Sequence, residues 1–219
     1  MEQLLTTNVA WNLYWLGRYL ERIESSLLEL ESVFDTIIDV DKDAGVKFYQ
    51  QFGITLSYDN ASDFLDEAIF GEHLGNLAMM SEYVRENAII CRSQIDTAAF
   101  GEVIELYELF QRAANEVRHT DFRFIDRALS LISEIWGNLT RRQNRQQSDY
   151  FIRLGKLVEK VDYHLCIGRD KEFALTLMDE IDLIVEKLAP NAEFSDHTES
   201  DLTRVRASIN AKINKIIVD

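Results

Sequence analysis

Leu16-Gly17-Arg18-Tyr19-Leu20-Glu21-Arg22-Ile23-Glu24 returns, conservatively altered, as Leu154-Gly155-Lys156-Leu157-Val158-Glu159-Lys160-Val161-Asp162, at a constant offset of 138 residues (155 − 17, 159 − 21, 162 − 24). Each copy sets a glycine, two acids and two cations in the same order. Around the first copy an apolar stripe runs through Val9, Leu13, Leu16, Leu20, Ile23, Leu27, Leu30, Phe34 and Ile37. Steps of three and four residues mark a helix with one buried face. They predict a long helix over 8–38, capped by Asn8. Glycine inside a helix costs about 1 kcal/mol against alanine, and close approach by another backbone is the usual reason to keep it. Gly17, Glu21, Glu24 and Leu28 share one face, as do Gly155, Glu159, Asp162 and Cys166. The repeat therefore predicts two related helices lying near each other, their acids at the edge of the core.

The rest of the composition agrees with an all-α chain. One proline and nine glycines in 219 residues leave little material for strands and turns. A length of this order supports one domain with a sizeable core, and no linker rich in Pro, Gly or Ser divides it, so a single domain over 1–219 is expected. The net charge of −15 disfavours nucleic acid and anionic lipid as partners. Cys91 and Cys166, each flanked by apolar residues at helix spacing, read as buried thiols. The start, Met1-Glu2-Gln3-Leu4-Leu5, lacks a basic region and apolar core, and no run approaches the roughly 18 apolar residues that span a bilayer. A cytoplasmic protein is expected.

Along the chain, helix signals follow one another. Residues 39–45 read as a loop, with short helices at 45–52 and 61–70, the second capped by Asn60 or Ser62, and with Gly53 and Gly71 as breaks. A long helix over 73–95 uses Leu74, Leu77, Met80, Val84, Ala88 and Cys91. Asp96 or Thr97 caps another to about 118. Thr120-Asp121 opens the next, with Phe124, Ile125, Leu129, Ile132, Ile135, Trp136 and Leu139 on its buried side. After a polar turn at 143–147, Ser148 or Asp149 caps the helix of the second copy, which Gly168 closes. Asp170 caps a helix that Pro190 stops. An acidic loop at 191–199 and a last helix over 200–217 complete an antiparallel bundle of about seven to nine helices.

Three readings compete for the repeated motif. The first is a crossed-helix packing whose carboxylates and cations, among them Arg18, Glu21, Arg22, Glu24, Glu159, Lys160 and Asp162, fix the register of the two helices. Lys156 and Lys160 repeat the spacing of Arg18 and Arg22. The second is a metal site built from Glu21, Glu24, Glu159 and Asp162. No histidine stands three residues after any of these acids, as di-iron bundles require, and no metal or other cofactor is expected. The third is a polar groove that receives a ligand or a partner peptide.

Here the chain resembles the bacterial alpha-E family, an all-helical domain with a Glu-Arg motif. The likeness rests on Asn12-Leu13-Tyr14-Trp15-Leu16-Gly17-Arg18-Tyr19-Leu20-Glu21-Arg22-Ile23-Glu24, on Arg85-Glu86-Asn87-Ala88 with Arg92 and Gln94, and on Leu154-Gly155-Lys156 with Glu159-Lys160. Where the family carries arginines in the late copy this chain has lysines, which weakens bidentate pairing there. The resemblance implies that Arg85, Glu86, Asn87 and Arg92 extend the polar network from the middle helix. It also implies partners: an ATP-grasp enzyme and a transglutaminase-like peptidase, with this chain as their accessory. A second copy of the chain joins that set of expected protein partners.

Other constellations carry less. Asp39-x-Asp41-x-Asp43 imitates a calcium loop, but its sixth position is Ala44 and its twelfth Gln50, so the bidentate acid is missing. His73, His119, His164 and His197 are scattered, and no serine or cysteine sits in a nucleophile elbow. Arg141, Arg142 and Arg145 form a basic cluster that suits a helix end or an acidic partner. Trp11, Tyr14, Trp15 and Tyr19 crowd more than one side of the first helix, which leaves core and interface both open for Trp11 and Tyr14. The expected function is a non-catalytic binding or scaffold accessory of an ATP-dependent peptide-ligating or peptide-modifying system. The alternative is an enzyme whose carboxylate-rich groove holds a metal or activates a substrate amine.

Overall fold

The computed structural model describes residues 5–115, 120–140, 146–168, 171–190, 211–214 and 216–217. Its helices are α1 (Thr7–Asp39), α2 (Ala44–Gln50), α3 (Ala61–Phe70), α4 (Leu77–Ile90), α5 (Thr97–Asn115), α6 (Phe122–Thr140), α7 (Gln147–Cys166) and α8 (Lys171–Leu188). Residues 211–214 and 216–217 are helical as well, and no strand occurs among the described residues. The chain is all-α.

α1 is the axis of the molecule. It lies against α7, α4, α2, α3 and α6, while α5 joins α4 to α6 and α8 covers α7. Leu13, Leu16, Leu20, Ile23, Leu27 and Leu30 are wholly buried along it. Each such side chain contributes about 1.5–3 kcal/mol. Packing, more than propensity, therefore holds a helix of 33 residues straight through the core. The core cluster extends from Ala10 on α1 to Ile184 and Val185 on α8, and takes in Ile213 and Ile217.

Local signals explain most boundaries and correct several expectations. Thr6 caps α1 in place of Asn8, its hydroxyl accepting from Val9 N at 3.4 Å, while the Asn8 side chain accepts from Asn12. Asn60 caps α3 through Ser62 N and Asp63 N. The helix expected over 73–95 is shorter at both ends. Asn76 Oδ1 accepts from Met79 N at 2.8 Å and starts α4 there, and its amide donates to Gly71 O, holding 71–76 as turns. Leu74, read as part of the buried stripe, is 87% exposed as a result. At the other end Gln94 N donates to Cys91 O in a turn. Asp96 supports the start of α5 through Ala98 N, and Asp121 that of α6 through Phe124 N.

Gln146, ahead of both expected caps, occupies the cap position of α7, and its backbone N–H is taken by the Asp149 carboxylate at 2.8 Å. Ser148 is buried instead of capping. Gly168 follows α7 with a φ of 65°, the left-handed conformation that glycine adopts freely. The Asp170 cap, Arg141, Arg142 and Arg145, and the acidic loop at 191–199 lie outside the described residues. No described helix is long and apolar enough to cross a membrane.

Candidate functional site

The two copies of the motif meet. A Cβ on Gly17 would lie 2.1 Å from Ile152 O, and one on Gly155 would lie 2.0 Å from Tyr14 O. Tyr14 and Ile152 are themselves 138 residues apart, so each glycine receives the carbonyl that stands one turn before the other. The contact is reciprocal: α1 and α7 cross backbone to backbone about a local pseudo-two-fold axis. Nearby, the Tyr163 hydroxyl donates to Ser25 O at 3.3 Å, a second pair of positions 138 residues apart.

The same symmetry governs the charges. Arg18 Nε donates to Glu159 at 2.7 Å and its Nη2 to Asp162 at 2.5 Å. In the mirrored position Lys156 Nζ stands 3.5 Å from Glu21 and 3.7 Å from Glu24. Arg22 donates to Glu159, and Lys160 faces Glu21 at 3.8 Å. Glu21 and Glu159 are each only 2% exposed, so both carboxylates sit inside the protein.

The arginine-to-lysine exchange breaks the chemical equivalence. Glu159 accepts two charge-assisted hydrogen bonds from guanidinium groups, which lock it. Glu21 has the Ser25 hydroxyl on Oε1 at 3.2 Å, while its buried Oε2 accepts no hydrogen bond and has the Lys156 ammonium only within ion-pair reach. Burial pushes the Glu21 carboxyl up to about 7, against the opposing pull of Lys156 and Lys160 and with help from Glu24. Burial works against the charge of Arg18 too, yet Glu159, Tyr14 and Asp162 together raise its proton affinity. Burial also raises the Tyr14 hydroxyl to about 12, although Arg18 Nη1 donates to it at 3.3 Å.

Aromatic rings close the ends of this network. The Trp136 indole on α6 donates to Glu24 at 2.9 Å, and the Lys156 ammonium lies 3.9 Å from its ring centroid. On the other side Arg18 stands 5.3 Å from the Trp15 ring, which stacks on Tyr19, which in turn meets Tyr83 of α4. Tyr14 is buried and Trp11 is packed against the core. The ring that faces outward is Trp15, at 37% exposure, with Tyr83 beside it at 41%.

The middle-helix residues do not join in. Arg85 pairs with its neighbour Glu86 and lies over Tyr107, the Asn87 amide donates to Tyr83 O at 2.6 Å, and Arg92 lies 4.3 Å from the Phe100 ring centroid. Arg85 and Arg92 therefore face α5. Conversely, Lys156 and Trp136 were absent from the expected central set. The constant offset from Arg18 points to Lys156; nothing local points to Trp136, which reads simply as a buried aromatic on its stripe.

Elsewhere, Asp41 accepts from Lys47 and from Asp43 N in a charged turn. No group of His, Cys, Asp and Glu among the described residues is arranged to hold a metal ion. The Cys91 thiol is buried, its proton affinity raised to about 12 by that burial, and neither cysteine is in a disulfide. His73 is hydrogen-bonded in the turn before α4, and His164 packs on Phe173. His119 and His197 lie outside the described residues.

An all-helical bundle organised on two glycine-notched, charge-matched helices is the class this architecture defines. Residues 5–186 match the Alpha-E family, described as a predicted alpha-helical domain with a conserved ER motif, and the chain belongs to that family. Glu21-Arg22 is the one Glu-Arg dipeptide in the sequence, and it stands at the crossing. No curated protein and no solved structure matches the chain.

Proposed function

We propose that this protein is a non-catalytic binding or scaffold accessory of an ATP-dependent peptide-ligating or peptide-modifying system, with an ATP-grasp enzyme and a transglutaminase-like peptidase as its partners. One observation carries the binding reading: the charges of the motif are spent on one another. Glu159 and Asp162 are held by Arg18, Glu159 also by Arg22, while Glu21 and Glu24 face Lys156. Groups neutralised in this way serve to fix two helices in register. The half-exposed Trp15, Tyr19 and Tyr83 ledge beside them supports a protein-facing surface, since aromatic anchors dominate such contacts. Co-purification of the tagged protein with a co-expressed ATP-grasp enzyme from the same genome tests the reading. Association that weakens in Trp15→Ala supports it, and complete failure to associate overturns it.

Glu21 favours a second reading, that of an enzyme. A buried carboxyl titrating near 7, with one oxygen lacking a hydrogen bond and lysines close by, has the properties of a general base. Elemental analysis and turnover assays on the wild type and on Glu21→Gln separate the two. Stoichiometric metal or turnover that disappears in the variant defeats the scaffold.

A further inference from the structure

A cavity of about 440 Å³ opens beside the crossing, at the junction of α1, α2, α7 and the turn before α4. Phe48, Phe52, Ile54, Met80 and Tyr163 supply an apolar wall, and the ring of Phe52 lies 5.7 Å from that of Tyr163. Leu74 stands at the mouth, 87% exposed. Arg22 is the one charged residue among those that line it. Its Nε is committed to Glu159, while the two terminal nitrogens of the fork, with four N–H groups, have no hydrogen-bond partner among the described residues, in a side chain 37% exposed. The pairing with Glu159 anchors the guanidinium by one edge and leaves the other edge presented.

We infer that this cavity binds a carboxylate carried on an apolar body, and that its occupant is the C-terminal end of a peptide whose last residue is bulky and apolar. The volume falls within the roughly 300–1,000 Å³ of small-ligand sites, and the mixture of apolar wall with one oriented charge is their usual make-up. A planar guanidinium edge matches a carboxylate in bidentate fashion, which a lysine cannot do. The chain's net charge of −15 repels a bare anion at long range, so an apolar group must supply much of the affinity. Leu74 at the rim offers further apolar contact to a chain leaving the cavity, which favours a peptide end over a free small acid. The inference deepens the binding reading above by naming a ligand, and its test needs neither of the partner enzymes.

Calorimetric titration of the full chain decides it, with acetyl-Ala-Ala-Ala-Phe as free acid, the same peptide as C-terminal amide, and acetyl-phenylalanine as probes. The free-acid peptide is expected to bind saturably, and the amide about tenfold or more weakly, the loss of a charge-assisted pair. Arg22→Gln should remove the preference for the acid. Ser26→Phe, which fills the cavity from α1 and leaves the ion pairs in place, should abolish binding with little change in melting temperature. Acetyl-phenylalanine binding as tightly as the peptide would keep the carboxylate site and overturn the peptide as its occupant. Equal affinity for acid and amide, binding that survives Ser26→Phe, or no heat at millimolar peptide overturns the site. Failure here, with partner association intact, would leave the scaffold reading standing.

Discussion

Glu21 and Glu159 occupy equivalent places, equally buried, yet removing their charges should have opposite effects. Glu159→Gln takes the carboxylate from between Arg18 and Arg22, leaving Arg18 with Asp162 alone and Arg22 without its carboxylate partner. Losing charge-assisted hydrogen bonds of this kind costs about 1–3 kcal/mol. Glu21→Gln instead deletes a charge that burial already disfavours. Because the folded-state value, about 7, lies above the ordinary 4.5, the folded chain holds this proton more tightly than the unfolded one. Its contribution to stability is full below about pH 4.5 and is lost as pH climbs through about 7, a change of about 3 kcal/mol. Urea titrations at pH 5 and pH 8 should show Glu21→Gln as stable as the wild type at the lower pH and more stable at the higher. A variant less stable than the wild type at pH 8 would show that the lysine pairs outweigh desolvation. Sequence spacing was enough to foresee that these acids share a region. The difference between them was not legible, because it depends on the reach of lysine against the fork of arginine across a contact between helices.

At the scale of helices, the crossing rests on Gly17 and Gly155. Alanine at either position gains about 1 kcal/mol of helix propensity. The added methyl would sit about 2 Å from a backbone carbonyl oxygen, and backbone cannot swing aside as a flexible side chain can. The clash wins. Gly17→Ala and Gly155→Ala should each lower stability by about 3 kcal/mol, as overpacked cores do, and the double variant should lose the cooperative unfolding transition. Denaturant melts followed by circular dichroism measure this. The glycines were readable from sequence because a costly residue recurred in register on an apolar face. The ends of α4 were not: Leu74 continued the helical rhythm by chance, while the Asn76 side chain set the real start through Met79 N. Arg85 and Arg92 likewise kept company with the motif in the sequence but turn to α5, a matter of helix rotation that spacing alone does not fix.

For the whole molecule, the surplus of acids matters more than any one pair. A net charge of −15 on 219 residues makes the folded chain repel itself, and the repulsion is screened over about 8 Å at physiological ionic strength. The Arg18–Glu159 pair, shielded from water, should feel added salt far less. Raising sodium chloride from about 10 mM to 150 mM should therefore raise the melting temperature, as differential scanning calorimetry would record. A fall would mean that exposed pairs such as Arg127–Glu105 carry more stability than the surplus removes. The all-α architecture followed from composition and periodicity. The cavity beneath Arg22 did not, since its walls come from four separate segments brought together only by folding.

The reciprocal contact between α1 and α7 has the form of an isologous interface, the kind two identical subunits make, here contained within one polypeptide. An edge that fits its own near-copy comes close to fitting itself, because Arg18 and Arg22 would find Glu21 and Glu24 on a second α1. Helix exchange between molecules is thus the characteristic hazard of this fold, and the lysines of the late copy, by making α1–α1 and α1–α7 unequal, bias which pairing prevails.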